Sequence, residues 1–136
     1  MTTKTVIASV ILSTLPALGA DFEGGTFAGV TTTKEGIHCA VVLLPGTAED
    51  LTWEAAKAWA TEQGGELPTR PVAALLFANV QPALSPEWHW TADEYVGNAS
   101  YAWSCDFSDG YQGSYHKSAE GAAVAVRLIP LNPSVL

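Results

Sequence analysis

The stretch that decides the fold is LTWEAAKAWATEQGGELPTRPVAALLFANV, Leu51–Val80, because it is helical in a chain otherwise made of short apolar runs between turn residues. Thr52 is placed to cap a helix from Trp53 to about Gln63, with Glu54 near the positive end of the helix dipole. Leu51 and Ala56 have the spacing of a hydrophobic staple. Trp53, Ala56 and Ala60 form one apolar stripe, with Trp59 beside it, and Gly64-Gly65 supplies the stop. A second helix is expected after Thr69, carrying Val72, Leu75, Leu76 and Val80 on one face and ending at Pro82. Pro71 falls in its first turn, where a missing N–H is tolerated.

Outward from these helices the pattern is that of strands. Thr26–Val30 and Ile37–Leu44 flank TTTKEG, a hairpin turn, and Pro45-Gly46 ends the second run. After Ser85 everything reads as strands and loops. Trp88 and Trp90 alternate with His89 and Thr91. Trp103, Cys105 and Phe107 alternate with Ala102, Ser104 and Asp106, and Ser108–Gly110 is a turn, with a short strand to follow through Tyr115. Val124, Val126 and Leu128 share one face of a last strand, opposite Ala125, Arg127 and Ile129. Strands, two helices and strands again make an α+β domain rather than a βαβ array.

The 136 residues suit a single domain with its own core. With 6 basic against 14 acidic residues the net charge is −8, which repels phosphate backbones and anionic membranes, so neither nucleic acid nor a membrane is an expected partner. Cys39 and Cys105 admit one disulfide or two buried thiols. No C-x-x-C is present and His38, His89 and His116 are scattered, so no zinc spacing arises.

The opening MTTKTVIASVILSTLPALGA has a lysine, an apolar run and small residues, as a signal peptide does, but Ser9, Ser13 and Pro16 interrupt the run. It is too short to span a bilayer, and the expectation is that the chain keeps it. The β-branched Val6, Ile7, Val10 and Ile11 favour a strand apolar on both faces, which needs cover from the domain or from another chain. Residues 1–21 are therefore read as an assembly segment, with Val6, Ile7, Val10, Ile11 and Leu12 as contact residues, and 22–136 as the main domain.

The aromatic load lies in Glu87–Lys117, which holds all four tyrosines. Trp53, Trp88, Trp103 and Phe107 read as core, since a buried ring removes a large apolar area from water. Tyr95, Tyr101, Tyr111 and Tyr115 sit among Gly, Ser, Asn and Asp. That setting suits an adaptable recognition surface, and equally rings that cover a sheet edge while their hydroxyls reach water. The acids Asp93, Glu94, Asp106 and Asp109 could suggest acid–base or metal chemistry, but turn roles explain them more cheaply, and no carboxylate pair comes with a positioned partner. Ser104 and Ser114 lack a nucleophile elbow. The candidate binding residues are Tyr95, Asn98, Tyr101, Asp106, Asp109, Tyr111, Gln112, Tyr115 and His116; no catalytic residue, cofactor or metal is expected.

The strings LTWEAAKAWA, GGELPTRPVAALLFANV, EWHWTADE, SYAWSCDFSDGYQGSYHKS and AVAVRLIPL, in this order, resemble the Lcl C-terminal-domain family over roughly Phe22 to Leu131. ELPT and YAW-x-x-x-F-x-x-G carry the resemblance; Pro71 and Val72 depart from its polar helix opening. Members are commonly encoded by tailed phages and prophages. The resemblance implies a C-type-lectin-like fold, with two helices flanking a small twisted antiparallel sheet beside a long loop region. Calcium-dependent lectins of that fold carry Glu-Pro-Asn or Gln-Pro-Asp and then Trp-Asn-Asp. Here QPA at Gln81–Ala83 is the nearest string and Trp-Asn-Asp is missing, so no calcium site is expected. Formylglycine-generating enzymes use paired late cysteines, and only Cys105 lies there.

The implied function is a non-enzymatic virion protein, assembled in the host cytoplasm. It would bind a host-surface protein or glycan, or other virion subunits, through its aromatic, acidic face, in the manner of a tail-tip receptor binder, and homo-oligomerise. A capsid or tail decoration protein and an intracellular inhibitor of a host enzyme are the alternatives.

Overall fold

The computed structural model describes residues 9–132, an α+β domain with two α-helices and two five-stranded sheets. The strands are β1 (Val10–Ile11), β2 (Asp21–Phe22), β3 (Gly25–Thr32), β4 (His38–Leu43), β5 (Ala48–Leu51), β6 (Trp88–Glu94), β7 (Tyr101–Asp106), β8 (Gln112–His116), β9 (Gly121–Ala123) and β10 (Val126–Asn132). The helices are α1 (Trp53–Glu62) and α2 (Arg70–Val80). One sheet has the order β1-β10-β4-β3-β2 and the other β5-β9-β6-β7-β8. The β1–β10 and β6–β9 pairs are parallel.

Both helices begin where their caps place them. The Thr52 hydroxyl accepts the Ala55 N–H at 3.3 Å, and the Thr69 hydroxyl accepts the Val72 N–H at 3.4 Å. Each satisfies a donor the first turn would leave without a partner. The α1 stripe Trp53, Ala56 and Ala60 is buried as expected; on α2 the buried set is Val72, Ala73, Leu76 and Val80, with Leu75 half-buried. Asn79 ties α2 to β3 by donating at 2.7 Å to the carbonyl of Ala28, the residue left unpaired by a bulge between Phe27 and Gly29.

The continuous apolar run in β4 has its explanation in the layers. Ala40 and Val42 face a cluster built on Phe27, Trp53, Ala56, Trp90 and Ile129, whereas Val41 and Leu43 face one built on Val72, Leu76, Phe107 and Val126. A strand covered on both sides loses its alternation. Cys39 and Cys105 are buried as free thiols, and burial pushes both up from the ordinary cysteine range.

Three elements depart from the sequence reading. Ala48–Leu51 is an edge strand, although its acids carry no apolar alternation and Asp50 has φ 54°. The last strand starts at Val126, because Gly121–Ala123 belongs to the other sheet and Val124-Ala125 carries the chain across. The third concerns which tryptophans are core. Trp90 and Trp53 are enclosed, at 0% and 4% exposure, whereas Trp88 and Trp103 are half-buried.

The N-terminal segment is partly spent inside the same chain. Val10 pairs with Leu131 and packs in the first core cluster. Ile11 is half-buried and Leu12 is 55% exposed; Val6 and Ile7 lie outside the described residues. Among the described residues no helix is long and apolar enough to cross a membrane.

His89, one of the scattered histidines, is fully buried against Phe107. Its Nδ1–H donates to the Glu87 carbonyl at 2.8 Å and its Nε2 accepts from the Ser85 hydroxyl at 3.2 Å. Burial holds the imidazole below its ordinary range, outweighing the Glu87 carbonyl and the Glu87 and Asp106 charges, which push it up. The unfolded chain binds this proton near pH ~6.5 and the folded chain only at lower pH. The stability contributed by neutral His89 is therefore fully present above the unfolded value and is lost as pH falls through it. Thermal melts at about pH 7.5 and 5.5, on either side of that value, check this. Wild type should lose more stability over the interval than His89→Gln, and equal losses would refute the assignment.

Candidate functional site

Strands β6, β7 and β8 form a continuous antiparallel meander, and its register sorts the aromatic residues onto two faces. Trp88 lies opposite Asp106, Trp90 opposite Ser104, Ala102 opposite Tyr115 and Tyr101 opposite His116. Opposed residues share a face and neighbours along a strand alternate. Trp88, Trp90, Ala102 and Tyr115 therefore point toward α1. Trp88 stacks on Tyr115 at 4.0 Å between ring centroids and meets Trp90 edge-on at 5.0 Å.

The opposite face carries Tyr101, Trp103, Cys105 and His116. Helix α2 covers only the Cys105 end, where Phe107 and Leu76 close the second core cluster. Beyond the first turn of α2, Trp103 is left half-buried. The Arg70 guanidinium lies 3.5 Å from its ring centroid, and the Tyr95 ring is tilted against it at 5.2 Å. Tyr101 meets His116 edge-on at 5.4 Å. Tyr95, Tyr101 and His116 are thus brought to one face with Trp103.

The other candidate residues are distributed differently. Tyr115 is 40% exposed but lies on the α1 side, and Tyr111, 71% exposed, stands at the β7–β8 turn. Asn98 shapes the β6–β7 loop by accepting the Ser100 N–H at 2.9 Å. Asp106 accepts both the hydroxyl and the N–H of Ser108, which hold it below the usual carboxylate range. Asp109 accepts the Tyr111 N–H at 2.9 Å. Gln112 is tied to Arg70 twice, accepting from its Nε and donating to its carbonyl, each at 2.9 Å. The His116 Nδ1 accepts from the N–H of Ser118, with the Ser118 hydroxyl at 2.7 Å. These polar atoms hold loops in shape. Among the described residues no group of three His, Cys, Asp or Glu side chains could hold a metal ion.

Sequence reasoning missed Arg70 and misplaced Trp103. The signal for Arg70 is a cation at the first position of a helix, where the dipole favours an anion; Asp93 answers it by accepting the Arg70 N–H at 2.7 Å. Trp103 had no such signal, because strand alternation cannot show where a covering helix stops. Trp103→Ala should accordingly cost only about 1–2 kcal/mol, from partial burial and a lost cation–π contact, measured by urea unfolding. A loss as large as that of a fully enclosed tryptophan would return this residue to the core.

No protein-family model matches this chain, and no curated protein matches it either.

Proposed function

We propose that this chain is a non-enzymatic binding protein of a phage virion, with a C-type-lectin-like fold. In this reading the face of Tyr95, Tyr101, Trp103 and His116 engages a host-surface molecule or another virion subunit. The observation that carries it is the division of labour on this face. Asn98 and Asp109, in the loops beside it, are committed to turn N–H groups and Gln112 to Arg70, while the rings of Tyr95, Tyr101 and Trp103 stay at least partly open. Rings held by a rigid sheet give contact area at low entropic cost, and carboxylates spent on loop N–H groups are poor general bases. Two helices among mainly antiparallel strands support the fold likeness, with two five-stranded sheets in place of the single small antiparallel sheet expected. The half-buried Ile11 on edge strand β1 and the exposed Leu12 in the 3-10 turn that follows it support self-association there.

Density-gradient purification of particles from infected cells tests this, with an antibody against the chain as the probe. The chain should band with the particles. Recovery solely in the soluble lysate would overturn the virion assignment in favour of an intracellular inhibitor.

A further inference from the structure

Next to the aromatic face, between the start of α2 and the β7–β8 turn, is an open pocket of about 480 Å³ lined by Arg70, Pro71, Ala74, Gly110 and Gln112. Pro71, Ala74 and Gly110 give it small walls, the Gln112 amide adds a neutral polar group, and its charged group is the guanidinium. That group is held in place on three counts. Its ring-facing side lies on Trp103, its Nε–H donates to Gln112, and its own backbone is fixed by Asp93 and Gln112. Its two terminal nitrogens make no hydrogen bond among the described residues, and no carboxylate comes within 4 Å of them. Lys57, Lys117 and Arg127 each have an acidic partner, and Lys34 is a solvated turn residue. In a chain of net charge −8, Arg70 is therefore a half-buried cation whose guanidinium has no salt bridge among the described residues, the adjacent Asp93 carboxylate being spent on the Arg70 backbone N–H.

We propose that this pocket receives one carboxylate side chain, Asp or Glu, of a protein partner. An immobilised guanidinium meets a carboxylate with two parallel hydrogen bonds and has already lost the freedom that binding would remove. One isolated cation matches one acid; a polyanion would be repelled by the rest of the surface. The pocket is open, whereas small-molecule sites enclose most of their ligand. Arginine beside a half-buried tryptophan and an exposed tyrosine, Tyr95, is the composition of a protein-interface hot spot. This deepens the reading of the neighbouring face as a binding surface and names the chemistry it takes.

Nitrogen–proton NMR of the whole chain tests it, following the Arg70 Nε–H and the Trp103 indole N–H. The probes are glutamate blocked at both termini, blocked glutamine, glucuronate and inorganic phosphate. Blocked glutamate should shift both signals with a Kd of about 10 mM, and blocked glutamine should bind at least about tenfold more weakly. Arg70→Lys should weaken the response about tenfold by losing the planar fork. Ala74→Glu, on the exposed side of α2 one turn on, should abolish it by supplying an internal carboxylate. Spectra of both variants report whether the fold is kept. If Arg70→Lys unfolds, Ala74→Glu decides alone. No shift with any probe would overturn the proposal, as would equal binding of blocked glutamine. Tighter binding of glucuronate would assign the pocket to a sugar acid, and tighter binding of phosphate to a phosphoryl group; either overturns it. Failure here with particle association intact would refute the pocket and leave the virion reading standing.

Discussion

Trp90→Ala is expected to destabilise the domain by about 3–5 kcal/mol. Trp90 has no exposed surface, lies in the first core cluster and meets Trp88 edge-on. Its indole N–H also donates to the Leu51 carbonyl at 2.8 Å, joining β6 to the residue that precedes the Thr52 cap of α1. Truncation opens a cavity that the neighbouring Ala102 and Ala123 are too small to fill, and it leaves the Leu51 carbonyl without that donor. Domains of this size have about 5–15 kcal/mol in total, so the variant should be marginal at physiological temperature. Urea unfolding at unchanged slope would give the number. A loss below about 1.5 kcal/mol, the scale of a partly buried side chain, would show that Trp90 is not enclosed.

Gly65→Ala should cost about 3 kcal/mol, at the upper end for overpacking. A Cβ there would fall 2.3 Å from the Val126 carbonyl oxygen and 2.8 Å from Leu44 Cδ1. The backbone cannot yield cheaply, because Glu66 and Val126 exchange hydrogen bonds of 2.9 and 2.8 Å immediately beside it. The end of α1 would be pushed off β10. Gly64→Ala is the control: its φ of +87° strains any side chain, but a Cβ would meet nothing within 4 Å. It should lose only about 1 kcal/mol. Similar melting temperatures for the two variants would show that the close approach is absent.

This pair of glycines also marks the limit of what the sequence shows without the tertiary structure. Gly64-Gly65 after an amphipathic run predicts a helix stop, and α1 stops there. Which glycine ends the helix by its φ, and which admits a neighbouring strand, depends on contacts made about 60 residues away along the chain. The candidate site divides likewise. Turn chemistry at Asp106 and Asp109 was legible because each side chain bonds two residues on, whereas Asn98, read as a binding residue, makes the same kind of turn. The pairing of Arg70 with Trp103 and Gln112 was not, since it joins the start of α2 to strands more than 30 residues later.

By itself the sequence determined the α+β class, both helices with the Thr52 cap of the first, and the β3–β4 hairpin. These follow from local forces: hydroxyls on orphan N–H groups, apolar periodicity and glycine in turns. Only the tertiary structure decided that Gly121–Ala123 leaves the last strand for the other sheet, that β1 closes against β10, and that Trp90 is enclosed while Trp103 is half-open. Alternation along a strand tells which residues share a face. What covers that face, and how far along it the cover extends, is set by where α1 and α2 pack, and that is a property of the assembled layers.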